Sequence, residues 1–177
     1  MRIHALNHLV ESARALGESR KVIVLGSASV LASFPEIGEQ GLLENTHDGD
    51  LLLDPISKEI ASYLTESLGQ GSLFRAQKGY HADILHPTIV ESLPPGWEDR
   101  LVRMEGFENV FALDPYDLAA IKLVVGREKD LALVRGLLGL GKISLEKLRN
   151  RMNSMPLGEN EMFRAGRSLA EVAAGSG

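Results

Sequence analysis

The chain has 177 residues, 44% of them hydrophobic and 24% charged, with 24 acidic against 19 basic side chains and a formal net charge of −5. That length holds one ordinary domain, or one domain with a helical appendage. The apolar fraction excludes a disordered chain, and the acidic balance excludes a general nucleic-acid binder.

There is no cysteine, so disulfides and thiolate metal sites are excluded, and a reducing cytoplasm suits the composition. The opening stretch MRIHALNHLVESARAL has neither the apolar core nor the small-residue cleavage site of a signal peptide. No apolar run approaches the roughly 20 residues of a membrane span. The expectation is a cytoplasmic protein with no membrane partner.

Apolar residues Ala5, Leu6, Leu9, Val10, Ala13 and Leu16 recur at helical spacing and predict an amphipathic helix over 4–17. KVIVLG at 21–26 is a β-branched run stopped by glycine, hence a buried strand. SASVLASF should follow as a helix with Ser27 at or near its N-cap, and breakers make 36–47 a loop. DLLLD at 50–54 is the next strand, and Pro55 opens a helix to about Ser67. LFRAQ and YHADILH flank Lys78-Gly79 as a hairpin, and RLVRME and NVFAL pair around Gly106-Phe107. Asp114 caps a run of helices expected at 116–125, 128–139, 144–153 and 160–173, and the tail AAGSG frays. The fold class is therefore α+β. A mixed sheet with flanking helices occupies 1–113, and a helical C-terminal region at 114–177 packs on it.

Asp48 and Asp50 are separated by one residue at the start of a strand, so both carboxylates point to one face. Like charges this close repel, and a divalent cation relieves the repulsion. A solvated turn is the bland alternative for a lone D-x-D. Strand, Gly26-Ser27, then helix leaves backbone N–H groups free to receive a phosphate, with a plain serine-capped turn as the alternative. Asp83 lies within the apolar strand YHADILH, where a charge needs an arginine, backbone donors or a metal. Set beside Asp48 and Asp50 it could supply the third carboxylate of a two-metal site for phosphoryl transfer, with a structural ion pair as the alternative.

The order strand–Gly26-Ser27–helix, Thr46-x-Asp48-x-Asp50, then Asp83 on a later strand resembles the DNA polymerase beta-like nucleotidyltransferase superfamily. LDPYDLAAIKLVVGREKDLALVRGLL at 113–138 resembles the helical motif of minimal nucleotidyltransferase-like proteins, among them the toxins of abortive-infection toxin–antitoxin pairs. In that group a lysine precedes an Arg-x-Lys-Asp run, as Lys122 precedes Arg127, Lys129 and Asp130 here.

The resemblance implies a nucleotidyltransferase-like fold. It implies transfer of a nucleoside monophosphate from an NTP to an acceptor hydroxyl on RNA, protein or a small molecule, with a cognate antitoxin as partner. Gly26, Ser27 and Lys122 would contact the nucleotide. Asp48, Asp50 and Asp83 would be catalytic and would bind Mg²⁺ (or Mn²⁺). Ser27 and Asp48 are further apart than in compact members, which makes 36–47 a lid or an insertion. A catalytically degenerate member, binding a nucleotide or a partner, is the alternative, and a third is an unrelated α/β domain with solubilising acids.

Other residues carry weaker signals. His4 and His8 share a helix face, but no third ligand accompanies them, and all five histidines are expected to be solvated. His47 and His81 are candidates for nucleotide contact only through their closeness to Asp48 and Asp83. Arg127, Lys129 and Asp130 read equally as a charged surface helix start. Trp97 reads as a loop anchor. Arg75, Lys78 and the basic residues of 142–167 could face an RNA acceptor.

Overall fold

The run Lys21–Leu25 forms β1, the middle strand of a five-stranded sheet in the computed structural model, which describes residues 1–175. Val22, Ile23, Val24 and Leu25 are all buried, as expected of β-branched and apolar residues covered on both faces. The other strands are β2 (Asp48–Asp54), β3 (His81–Ile84), β4 (Val102–Arg103) and β5 (Val110–Ala112). The order is β3-β2-β1-β5-β4. β2 runs antiparallel to β1, β5 runs parallel to it, β3 runs parallel to β2, and β4 is antiparallel to β5. The sheet is mixed, and the α+β class read from the sequence holds.

The chain divides into two compact units, Met1–Val90 with Leu101–Leu113, and Glu91–Arg100 with Asp114–Gly177. In the first, α1 (Ile3–Gly17) buries Ala5, Leu6, Leu9, Val10 and Ala13, the stripe predicted from spacing. α2 (Lys58–Leu68) and α3 (Leu73–Lys78) lie between β2 and β3 in the chain.

Three local expectations are corrected. SASVLASF forms a six-residue 3-10 helix, Ser27–Ala32, rather than an α-helix, with Gly26 at its N-cap position and Ser27 next to it, as expected. A proline disfavours helical backbone in the residue before it, and Phe34, preceding Pro35, is non-helical at φ −140° and ψ 70°. α2 starts at Lys58 rather than at Pro55, because the Ser57 hydroxyl accepts the Ile60 N–H at 3.2 Å. LFRAQK is helical and not a hairpin strand. Ser72 caps it by accepting the Arg75 N–H, and Gly79 closes it at φ 84°. The segment 36–47 is anchored through buried Ile37 and Leu43.

The second unit is helical: α4 (Pro115–Val125), α5 (Glu128–Gly139), α6 (Leu145–Asn153) and α7 (Glu159–Ala174). Asp114 caps α4, accepting from the N–H groups of Tyr116 and Asp117 at 2.9 and 3.2 Å. α4 packs against α5, α6 and α7, burying Leu118, Ala119, Ala120 and Leu123. Of the tail expected to fray, Ala173 and Ala174 belong to α7, and residues 176–177 lie outside the described residues. Among the described residues, no helix is long and apolar enough to cross a membrane.

Candidate active site

The acidic site follows from the pleat of β2. Gly49, Leu51 and Leu53 are buried on one face, and a Cβ on Gly49 would come within 2.6 Å of Leu9 on α1. Asp48 and Asp50 therefore stand on the other face. β3 runs alongside in a register that sets Asp83 opposite Asp50 and His81 opposite Asp48. Paired residues of neighbouring strands share a face. One carboxylate oxygen from each of Asp48, Asp50 and Asp83 lies within 4.8 Å of the other two. Asp48 and Asp50 are half-buried and Asp83 is exposed.

Gly26 stands at the open end of β1, beside Asp50. Its φ of +59° is one that side chains rarely adopt, and a Cβ there would sit 1.7 Å from Asp50 Oδ2. No residue but glycine leaves the Asp50 carboxylate in place. The turn beyond is held by Ser29, whose hydroxyl donates to the Gly26 carbonyl at 2.8 Å. Ser27 begins the 3-10 helix and is half-buried.

On the outer side, Asp83 borders a cleft of about 680 Å³ lined also by Glu66, Gln70, Gly71 and Ile84. Among the described residues, its lining carries Glu66 and Asp83 and no cationic side chain. His81, buried beside the trio, places Nε2 3.4 Å from Asp83 Oδ1. His8, expected in solvent, instead bonds the Tyr80 hydroxyl through Nδ1 at 2.7 Å and stacks on Phe74. His86 contacts the Thr88 hydroxyl at 2.9 Å.

Lys122 belongs to the second unit. It is buried, and its ammonium donates to Asp130 Oδ1 at 2.6 Å while Arg127 Nε donates to Oδ2 at 2.6 Å. Burial opposes charge on the Asp130 carboxyl, but the hydrogen bonds from Arg127 and Lys122 prevail and hold it below the usual carboxylate range. Arg127 and Asp130 are thus parts of a packed ion cluster, while Lys129 is exposed. A second cluster escaped the sequence reading. Asp117 is fully buried on α4, grips Arg100 through both carboxylate oxygens at 3.0 Å, and accepts from Arg151. The signal available was an acidic residue set directly before the largely apolar run LAAIKLVV.

The carboxylate trio is a hard-oxygen donor set, which suits Mg²⁺ or Mn²⁺ rather than a soft metal. A glycine that makes room for the Asp50 carboxylate fits the same purpose. Fold and site together define an α+β protein with an acidic centre on one face of a mixed sheet. The chain belongs to the family described as nucleotidyltransferase of unknown function (DUF6036), whose model matches residues 4–166. No curated protein and no solved structure matches it.

Proposed function

We propose that the protein is a cytoplasmic, Mg²⁺-dependent enzyme that moves a nucleoside monophosphate from an NTP to an acceptor hydroxyl. The observation that carries this reading is the convergence of Asp48, Asp50 and Asp83 within 4.8 Å, beside a glycine at which any side chain would displace the Asp50 carboxylate. When bound there, a divalent cation supplies charge neutralisation for the phosphates and for the oxygens of attack and departure.

The residues of the chain do the rest. Asp48 and Asp50, fixed by the pleat, hold the cation side of the site. Asp83, the most accessible of the three, faces the cleft and takes the proton of the acceptor hydroxyl. The acceptor oxygen bonds the α-phosphorus, the bond to the β-phosphate bridge breaks, and pyrophosphate leaves. Gly26 and Ser27 line the phosphate side, and the missing side chain of Gly26 makes room for the Asp50 carboxylate. Most of the acceleration is positioning and electrostatics.

Lys122 receives no such support as a triphosphate ligand, since its ammonium donates to Asp130. The cation-free lining of the cleft favours a protein or small-molecule hydroxyl over a polyanionic RNA, whose phosphates require positive partners. A place as the toxin of a toxin–antitoxin pair, with a cognate antitoxin, rests on resemblance to minimal nucleotidyltransferases alone.

The test is label transfer. The protein is incubated with each α-labelled NTP, Mg²⁺ or Mn²⁺, and a lysate, and compared with Asp50→Asn. Transfer by the wild type that the variant loses by about a hundredfold or more is the expected result. Equal transfer by both, or tight NTP binding with no transfer by either, contradicts the catalytic reading. The second outcome would make the protein a nucleotide-binding module.

A further inference from the structure

We propose that His81 is a positioning residue that aims the Asp83 carboxylate at the cation site, an inference that rests on the reading of the three acids as that site. His81 precedes Asp83 by two residues on β3 and shares its face. Its side chain is 10% exposed, while that of Asp83 is 49% exposed. The two groups therefore differ in freedom. The ring is locked by packing, whereas an exposed carboxylate samples several rotamers. Repulsion from Asp48 and Asp50 drives Asp83 outward whenever no cation is bound. The Nε2 contact at 3.4 Å opposes both tendencies and anchors one carboxylate oxygen.

The other ring nitrogen supports the assignment. His81 Nδ1 is buried with no hydrogen-bond partner among the described residues. With Nε2 turned to the Asp83 carboxylate, Nδ1 is the ring nitrogen left without a partner. A buried unpaired polar atom costs stability, and folds rarely keep one without a reason. Here the reason is the direction of Nε2. Leucine or phenylalanine would fill the same space without that cost, and neither would hold Asp83.

The test reads cation affinity and needs no acceptor. Free Mn²⁺ is titrated by electron paramagnetic resonance against wild type, Asp50→Ala, His81→Leu, His81→Gln and His81→Asn, with thermal melting as the check on folding. Gln offers a donor near the Nε2 position, and Asn offers one only near Nδ1. Expected are a loss of binding in Asp50→Ala, affinity weakened about tenfold or more in His81→Leu and His81→Asn, and near-wild-type affinity in His81→Gln. If wild type binds Mn²⁺, Asp50→Ala does not, and His81→Leu or His81→Asn matches wild type, the role of His81 is refuted and the site stands. If wild type and Asp50→Ala titrate alike, the site itself is refuted and the role of His81 with it. Should His81→Leu fail to fold, the Gln-against-Asn comparison decides, and equal affinities there overturn the inference.

Discussion

Gly26 is the single residue whose replacement most sharply separates site from scaffold. A methyl group at its Cβ position would overlap Asp50 Oδ2 at 1.7 Å, and the backbone at φ +59° and ψ −165°, a region confined essentially to glycine, adds strain of about 1–3 kcal/mol for any L side chain. Gly26→Ala should therefore abolish Mn²⁺ binding and label transfer, with only a modest drop in melting temperature. Unchanged Mn²⁺ affinity would show that the Asp50 carboxylate is not held where the geometry puts it.

The sequence made these acids legible because side-chain alternation in a strand is a strict rule, so D-G-D at a strand start already implied one face for both. It did not make His81 legible as a neighbour of Asp83 for any reason beyond adjacency. Its burial depends on packing that no local pattern encodes. Nor did it show that Lys122 and Asp130 bond each other, since the resemblance set Lys122 on the nucleotide and Asp130 read equally as a surface helix charge.

At the scale of elements, the sheet and the C-terminal helices were readable and the connections between them were less so. β1, β2 and the four helices after Asp114 carried clear periodicity and caps. LFRAQK at 73–78 was misread as a strand because its apolar residues are too few to reveal a period. Ser72 before it and Gly79 after it were the helix signals available, and Ser57 marked the start of α2 more truly than Pro55.

The element that sets the direction of the acids is α1, through its contact with Gly49. A Cβ there would meet Leu9 at 2.6 Å, and Leu9 is fully buried. Gly49→Val should push α1 from β2 and destabilise the protein by about 1–3 kcal/mol, as overpacking does. Thermal or urea unfolding checks this, and a melting temperature equal to that of wild type would show that α1 does not fix that face.

For the molecule as a whole, acid sensitivity has an identifiable source in the second unit. Asp130 is fully buried between Lys122 and Arg127, and its folded-state pKa lies below the ordinary value. A depressed carboxylate contributes stability that is fully present above its unfolded pKa of about 3.9 and is lost as pH falls through the folded value. Asp130→Ala should cost about 3–5 kcal/mol near neutral pH by leaving buried Lys122 unpaired, and the loss on acidification should be shallower than in wild type. Adding Lys122→Met to that variant should recover much of the stability. A double variant no more stable than Asp130→Ala would show that the pair is not the coupled unit described.

The central claim is that Asp48, Asp50 and Asp83 form one cation-binding centre for nucleotidyl transfer. Anomalous diffraction at the manganese edge, on crystals grown with Mn²⁺ and a non-hydrolysable NTP analogue, tests it most directly. A manganese peak within about 2.5 Å of oxygens from all three aspartates, with the triphosphate running toward Gly26 and Ser27, is the predicted result. Manganese bound elsewhere, or the analogue bound with no metal at these carboxylates, would contradict it.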